Sequence, residues 1–332
     1  MRFGKKTAFV ALAAASALIF AGCSGSGVID EGAGNGGDGA SQDGEVYVAL
    51  VSKGFQHQFW QAVKKGAEQK AEELGVRVTF EGPAAETEIT QQLEMLTTAI
   101  AQNPDAIGYA ALDPEACVAP LEQAKAKDIP VVYFDAPCNG DVGLSLAATD
   151  SKVAGALAAE HMADLIGGEG EVAIVGHSQI NSTGVERRDG FVDKIEADYP
   201  NIKIVDIQYG DGDHLKSADI AKAMIAAHPN LKGLYGTNEG SAIGIVNAAN
   251  ELGLAKGKLT IIGSGAAQIK AIKEGLMAGA ITQDPIGIGA RTVESAVAAA
   301  KGEKLDEFYD TGSYWYDATN INDPKIAAVL YE

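Results

Sequence analysis

From Glu45 onward, short runs of branched apolar residues alternate with longer stretches whose apolar positions recur every three to four residues. Val46–Val51 (VYVALV), Val76–Phe80, Ala106–Tyr109 and Val131–Phe134 read as strands. Between them, Phe59–Leu74, Glu86–Gln102 and Pro114–Lys127 read as helices; Ile89, Leu93, Leu96 and Ile100 form one apolar stripe at helical spacing. A second series begins near Asp150. It predicts helices at 150–166, 183–198, 214–228, 241–252 and 268–274, and strands at 172–175, 202–208, 231–235 and 259–262. One more helix at 286–300 and an extended stretch at 312–316 close the pattern. Strands that alternate with helices in this way predict parallel sheets covered by helices on both faces. The fold class expected is therefore α/β, with two doubly wound lobes. In such lobes ligands sit beyond the carboxyl ends of the strands, so the residues just after each strand carry the interest.

The first 22 residues break the pattern. Arg2, Lys5 and Lys6 precede the apolar run AFVALAAASALIFA, and small residues lead to Cys23, which is the plan of a secretory signal. Residues 23–44, rich in Gly, Ser and Asp, predict a flexible tether with a reach of roughly 25 Å. Of 332 residues, 45 are acidic and 26 basic, a formal net charge of −19. That balance argues against nucleic acid as a partner, since phosphate binding draws on clusters of Lys and Arg.

Chemistry is conspicuous by what is missing. There is no GxxxxGK[ST] phosphate loop and no GxSxG nucleophile turn. His57, His161, His177, His214 and His228 lack metal-ligand spacing, so neither metal nor cofactor is expected. No catalytic set stands out; a secreted hydrolase built on Asp135 or Asp211 is the weakest reading.

Six segments in order, VALVSKGFQHQFWQAVKKGAEQKAEELG, IPVVYFDAP, ATDSKVAGALAAEHM, ERRDGF, LYGTNEGSAIGIVNA and AITQDPIGIGARTV, resemble the ribose-binding-like periplasmic binding proteins of ABC transporters. The FAGC ending at Cys23 resembles the lipobox of bacterial lipoproteins. The resemblance implies an extracytoplasmic protein, anchored to the cell membrane through acylated Cys23. It also implies two lobes joined by a three-stranded hinge near 147–150, 282–285 and 310–314. The first lobe would hold residues 45–148 plus 284–311 and the second 149–283 plus 312–332. A monomer that closes on a small neutral polar ligand, a sugar or polyol, and presents it to ABC permease subunits follows; a receptor for a membrane sensor kinase is the alternative.

By the same resemblance, Phe59 and Trp60 would stack on a sugar ring, with core packing as their other role. His57, Asp135, Asn181, Asn238 and Gln283 would supply hydrogen bonds. Ala136, Val185 and Gly265 stand where relatives carry charged side chains, which predicts fewer charged contacts and a ligand less densely hydroxylated than an aldopyranose, or one shaped to fill the space these residues leave. Cys117 and Cys138 fall after adjacent strands at one end of the first sheet, so a disulfide is expected, the alternative being two buried thiols.

Overall fold

The computed structural model describes residues 44–331; the signal, the tether and Cys23 lie outside the described residues. The strands are β1 (Tyr47–Val51), β2 (Arg77–Glu81), β3 (Ala106–Tyr109), β4 (Val131–Phe134), β5 (Gly143–Ala148), β6 (Gly170–Gly176), β7 (Ile202–Tyr209), β8 (Leu231–Gly236), β9 (Thr260–Ser264), β10 (Gly279–Gln283), β11 (Phe308–Asp310) and β12 (Ser313–Asp317). The helices are α1 (Gln58–Leu74), α2 (Ile89–Ala101), α3 (Val118–Lys125), α4 (Ser151–Ile166), α5 (Ser182–Asp198), α6 (His214–Ala227), α7 (Glu239–Glu251), α8 (Ile269–Lys273), α9 (Pro285–Ala300) and α10 (Pro324–Ala327).

Two six-stranded sheets result, ordered β11-β5-β4-β3-β1-β2 and β12-β10-β9-β8-β6-β7. All pairings are parallel except β10 with β12. The chain passes between the sheets three times: from β5 into α4, from β10 into α9, and from β11 to β12. The two doubly wound lobes expected from the pattern, and the three-part hinge that the resemblance implies, are thus present. The central strands β1, β3 and β4 are buried on both faces, which is why they read as apolar runs. In the first lobe Val48, Leu50 and Val132 pack with Ala67, Ala71, Val293 and Ala296 of α1 and α9. On the other face Ala49, Ile107 and Tyr109 meet Leu96 and Leu121 of α2 and α3.

Helix pairs in the two lobes are locked by the same device. A Cβ on Gly66 of α1 would collide with the Ile286 carbonyl, and one on Gly289 of α9 with the Val63 carbonyl. In the second lobe Gly155 of α4 lies against the Arg187 carbonyl and Gly190 of α5 against that of Lys152. Backbones this close leave room only for glycine.

The structure corrects several boundaries. The helix expected at 86–102 starts at Ile89, because Glu86 turns inward as a buried ion before the helix begins. That expected at 114–127 is confined to Val118–Lys125, after Asp113 Oδ1 accepts the N–H groups of Glu115 and Ala116 in a turn. Strands β5, β10 and β11 are recovered only from their neighbours in the sheets. Cys117 and Cys138 are disulfide-bonded, with Cα atoms 6.1 Å apart.

Candidate functional site

Loops at the carboxyl ends of both sets of strands meet in the cleft between the lobes. The first lobe contributes Lys53 and His57 after β1, Phe59 and Trp60 in the first turn of α1, Glu86 between β2 and α2, and Asp135 after β4. The second contributes His177 after β6, Thr183 and Arg187 on α5, Asn238 and Glu239 after β8, Gly265 after β9, Gln283 at the end of β10, and Tyr331. Together they enclose a cavity of about 30 Å³. A volume of that order holds about one water-sized group, so a sugar gains access only when the lobes part. Outside it, sharing Glu86 and His177 as a common wall, lies a wider cleft of about 610 Å³.

Six of the seven residues expected at the site, His57, Phe59, Trp60, Asp135, Asn238 and Gln283, line this one cavity. Asn181 differs: it lines the outer cleft. Its Oδ1 accepts from Lys53 Nζ at 3.2 Å and from Thr183 Oγ1 at 2.7 Å, and its Nδ2 donates to the Ala111 and Leu112 carbonyls at 2.8 and 3.2 Å. With its polar capacity spent across the cleft, Asn181 clasps one lobe to the other instead of facing the cavity.

The cavity is far more ionic than the sequence suggests. Lys53 Nζ lies 2.7 Å from Asp135 Oδ2, both side chains buried. Arg187 donates to Gln283 Oε1 at 2.9 Å and to the Thr237 carbonyl at 3.2 Å. Trp60 Nε1–H donates to Glu86 Oε1 at 2.7 Å. The expectation of fewer charged contacts therefore fails; the charges missing at Ala136, Val185 and Gly265 enter from Lys53, Arg187, Glu86 and Glu239. Lys53 carries no sequence mark of a binding role, since it follows a strand as one residue of an ordinary SKG turn. Glu86 was hidden within an apparent helix, and Tyr331 lies 92 residues from the Glu239 it bonds.

Three of the five histidines, scattered along the chain, gather around Glu86. His177 Nε2 stands 2.9 Å and His57 Nε2 3.6 Å from Glu86 Oε2, and the rings of His57 and His214 stack at 5.4 Å. Burial pushes the Glu86 carboxyl up, but the two imidazoles more than offset this and hold it well below the usual carboxylate range. Burial pulls His57 down, yet Glu86 outweighs it and the pKa is raised. For His177 burial wins over Glu86, and its pKa is lowered. The cluster thus carries one anion and favours one cation beside it.

Asp135 Oδ2 and Glu86 Oε2 are taken up by Lys53 at 2.7 Å and His177 at 2.9 Å, but two side-chain amides remain available to a guest. Asn238 Oδ1 caps α7 by accepting Ser241 N–H at 2.9 Å, which leaves its amide as a donor. Gln283 Oε1 is held by Arg187, which leaves the Gln283 amide likewise. Donors and acceptors fixed around the apolar faces of Phe59 and Trp60 suit a molecule with C–H faces and a hydroxyl rim.

Residues 48–304 match the profile of the periplasmic binding protein domain. The chain belongs to this family. Among curated members of the family, the D-allose-binding periplasmic protein of Escherichia coli (strain K12) is 31% identical over 267 residues, 77% of this chain and 85% of that protein. A ribose import binding protein of the same strain is 28% identical over 272 residues, 79% of this chain and 87% of that protein. Among solved structures, a carbohydrate transporter solute-binding protein from Agrobacterium radiobacter in complex with D-arabinose superimposes with a TM-score of 0.83 at 31% identity, covering 87% of this chain and all of that one. An ABC transporter solute-binding protein from Agrobacterium vitis with bound D-fucose gives 0.82 at 32%, covering 86% and 100%. Periplasmic binding proteins of this kind are non-enzymatic in general, and the cleft between two α/β lobes is where this member places its buried polar groups.

Proposed function

We propose that the chain is the extracytoplasmic solute receptor of an ABC importer, and that it captures a small neutral sugar or a related polyol between its lobes without altering it. The observation that carries this reading is the buried ring of fixed donors and acceptors, Asp135, Asn238 and Gln283 with His57, around Phe59 and Trp60. Permease subunits would receive the closed form, and acylation of Cys23 would hold the monomeric protein at the cell membrane. Lobe closure distinguishes loaded from empty receptor, and no covalent step is needed. The links that span the cleft are consistent with such a cycle. Gln58 N–H donates to Glu239 Oε1 at 2.8 Å, Gln56 Nε2 donates to the Gly212 carbonyl at 3.1 Å, and Lys53 donates to Asn181 and Thr183.

A thermal-shift screen of the purified protein against aldopentoses, aldohexoses, 6-deoxy sugars and polyols tests the proposal. A ligand bound only by the folded form raises the melting temperature in proportion to the logarithm of its concentration over Kd. Trp60→Ala and Asn238→Ala are expected to abolish the shift, since truncating one desolvated hydrogen-bonding partner costs about 1–3 kcal/mol. An unchanged melting temperature across the whole panel, or an undiminished shift in both variants, overturns it.

A further inference from the structure

Tyr331 reaches the cavity by a route of its own. The Val329 carbonyl accepts from Thr282 Oγ1 at 3.1 Å, which pins this segment to β10 beside Gln283. Two residues on, the Tyr331 ring meets Phe59 of the opposite lobe edge-on, centroids 6.2 Å apart. Its hydroxyl donates to Glu239 Oε2 at 3.1 Å, while Glu239 Oε1 accepts the Gln58 N–H at 2.8 Å. Both carboxylate oxygens of Glu239 are thus engaged inside the protein, and the single hydrogen of the phenol is spent. A phenol that has donated its hydrogen still has lone pairs to accept with; the Ala266 N–H engages the oxygen from one side, which leaves capacity for one further donor. All these groups are buried: Tyr331 is 8% and Glu239 5% exposed.

The neighbouring loop is shaped for this pair. Gly265 has φ +94°, and a Cβ there would lie 3.1 Å from Glu239 Oε2 and 3.2 Å from Tyr331 Oη. Any side chain at position 265 would strain the backbone and displace the two groups. The space beside Gly265 is therefore filled by an acceptor borne on Tyr331 and aimed by Glu239.

We propose that Tyr331 is a specificity-determining residue of the binding site. Its phenol oxygen accepts a hydrogen bond from one hydroxyl of the bound sugar, and its ring limits the size of the guest beside Gly265. Glu239 is the positioning residue: it fixes the direction of the phenol hydrogen and ties that wall to α1 of the other lobe. The inference rests on the sugar-binding reading above and adds to it which group selects among sugars.

Isothermal titration of the full chain with D-allose, D-ribose, D-arabinose, D-fucose and D-tagatose, repeated on Tyr331→Phe and Glu239→Gln, tests it. Tyr331→Phe keeps the ring and removes only the oxygen. It is expected to weaken the best-bound sugar at least tenfold while leaving a sugar without the selected hydroxyl unaffected, so the order of preference changes. Glu239→Gln is expected to shift the preferences in the same direction by a smaller factor. Equal losses for every sugar, which a merely structural role would give, or wild-type affinities throughout, overturn the proposal. Wild-type protein that binds none of the five overturns this inference before any variant is made, and the sugar-receptor reading falls with it only when the whole thermal-shift panel is also silent. Melting curves accompany each variant; if Glu239→Gln fails to fold, Tyr331→Phe decides alone.

Discussion

At the scale of single residues, Glu86 is the point on which most of the site's electrostatics turns. It accepts from Trp60 and lies against imidazoles from both lobes. His57 binds its proton more tightly in the folded protein than in the unfolded chain, because Glu86 outweighs its burial. A raised pKa of this kind stabilises the fold fully below the unfolded value near 6.5 and loses that contribution as pH rises through the folded value. Glu86→Gln removes the main anion that raises both histidines, so burial, with Lys53 beside it, outweighs the remaining pull of Glu239 on His57 and both pKa values move down. The variant is expected to lose stability relative to wild type as pH falls from 7.5 to 5.5, by about 1.4 kcal/mol for each unit by which a histidine is displaced. Melting curves at the two pH values check this; a gap between variant and wild type that stays constant or narrows on acidification contradicts it. Six cavity residues were legible through the family resemblance, because they stand in motifs that survive in this sequence at the ends of strands and the start of α1. It did not locate Lys53, Glu86 or Tyr331, whose roles depend on partners distant in sequence. It also misjudged the charge of the cavity by reading losses at Ala136, Val185 and Gly265 without the gains elsewhere.

At the scale of elements, helices α1 and α5 start at the cavity, and each is fixed by glycines against a second helix. Gly155→Ala should force α4 and α5 apart, because the atom it would strike is a backbone carbonyl that cannot rotate away. Overpacking of this type costs about 1–3 kcal/mol. Thr183 and Arg187 ride on α5, so ligand affinity should fall together with the melting temperature; a variant with normal melting and normal affinity would show that the helix pair adapts. The disulfide is the other element-level constraint. It closes a loop of sequence separation 21 that carries α3 and β4, and its reduction should cost about 3 kcal/mol. A melting temperature indifferent to reductant would contradict this. Helices and central strands were legible at this scale because their periodicity is strong. Strands β5, β10 and β11 were not: LSLAA and GAITQ carry weak strand signals, and FYD is three residues long. Sheet pairing, a non-local effect, makes them strands.

At the scale of the molecule, neither lobe is a continuous stretch of chain. The first sheet takes its edge strand β11, and one helical face takes α9, from residues that follow most of the second lobe. A fragment ending at residue 284 would leave Val48, Leu50, Ala67 and Val132 without Val293, Ala296 and Val297. It is expected to show rapid amide exchange throughout β1, β3 and β4, whereas the full chain protects them; protected amides in the fragment would contradict this. The same interleaving has a consequence for how the protein is made. At synthesis rates of 5–20 residues per second, the segment that completes the amino-terminal half leaves the ribosome roughly 10–30 s after β5. Throughout that interval the emerging polypeptide cannot settle into its final form, and a chain in that condition is one that a translocation channel can still thread.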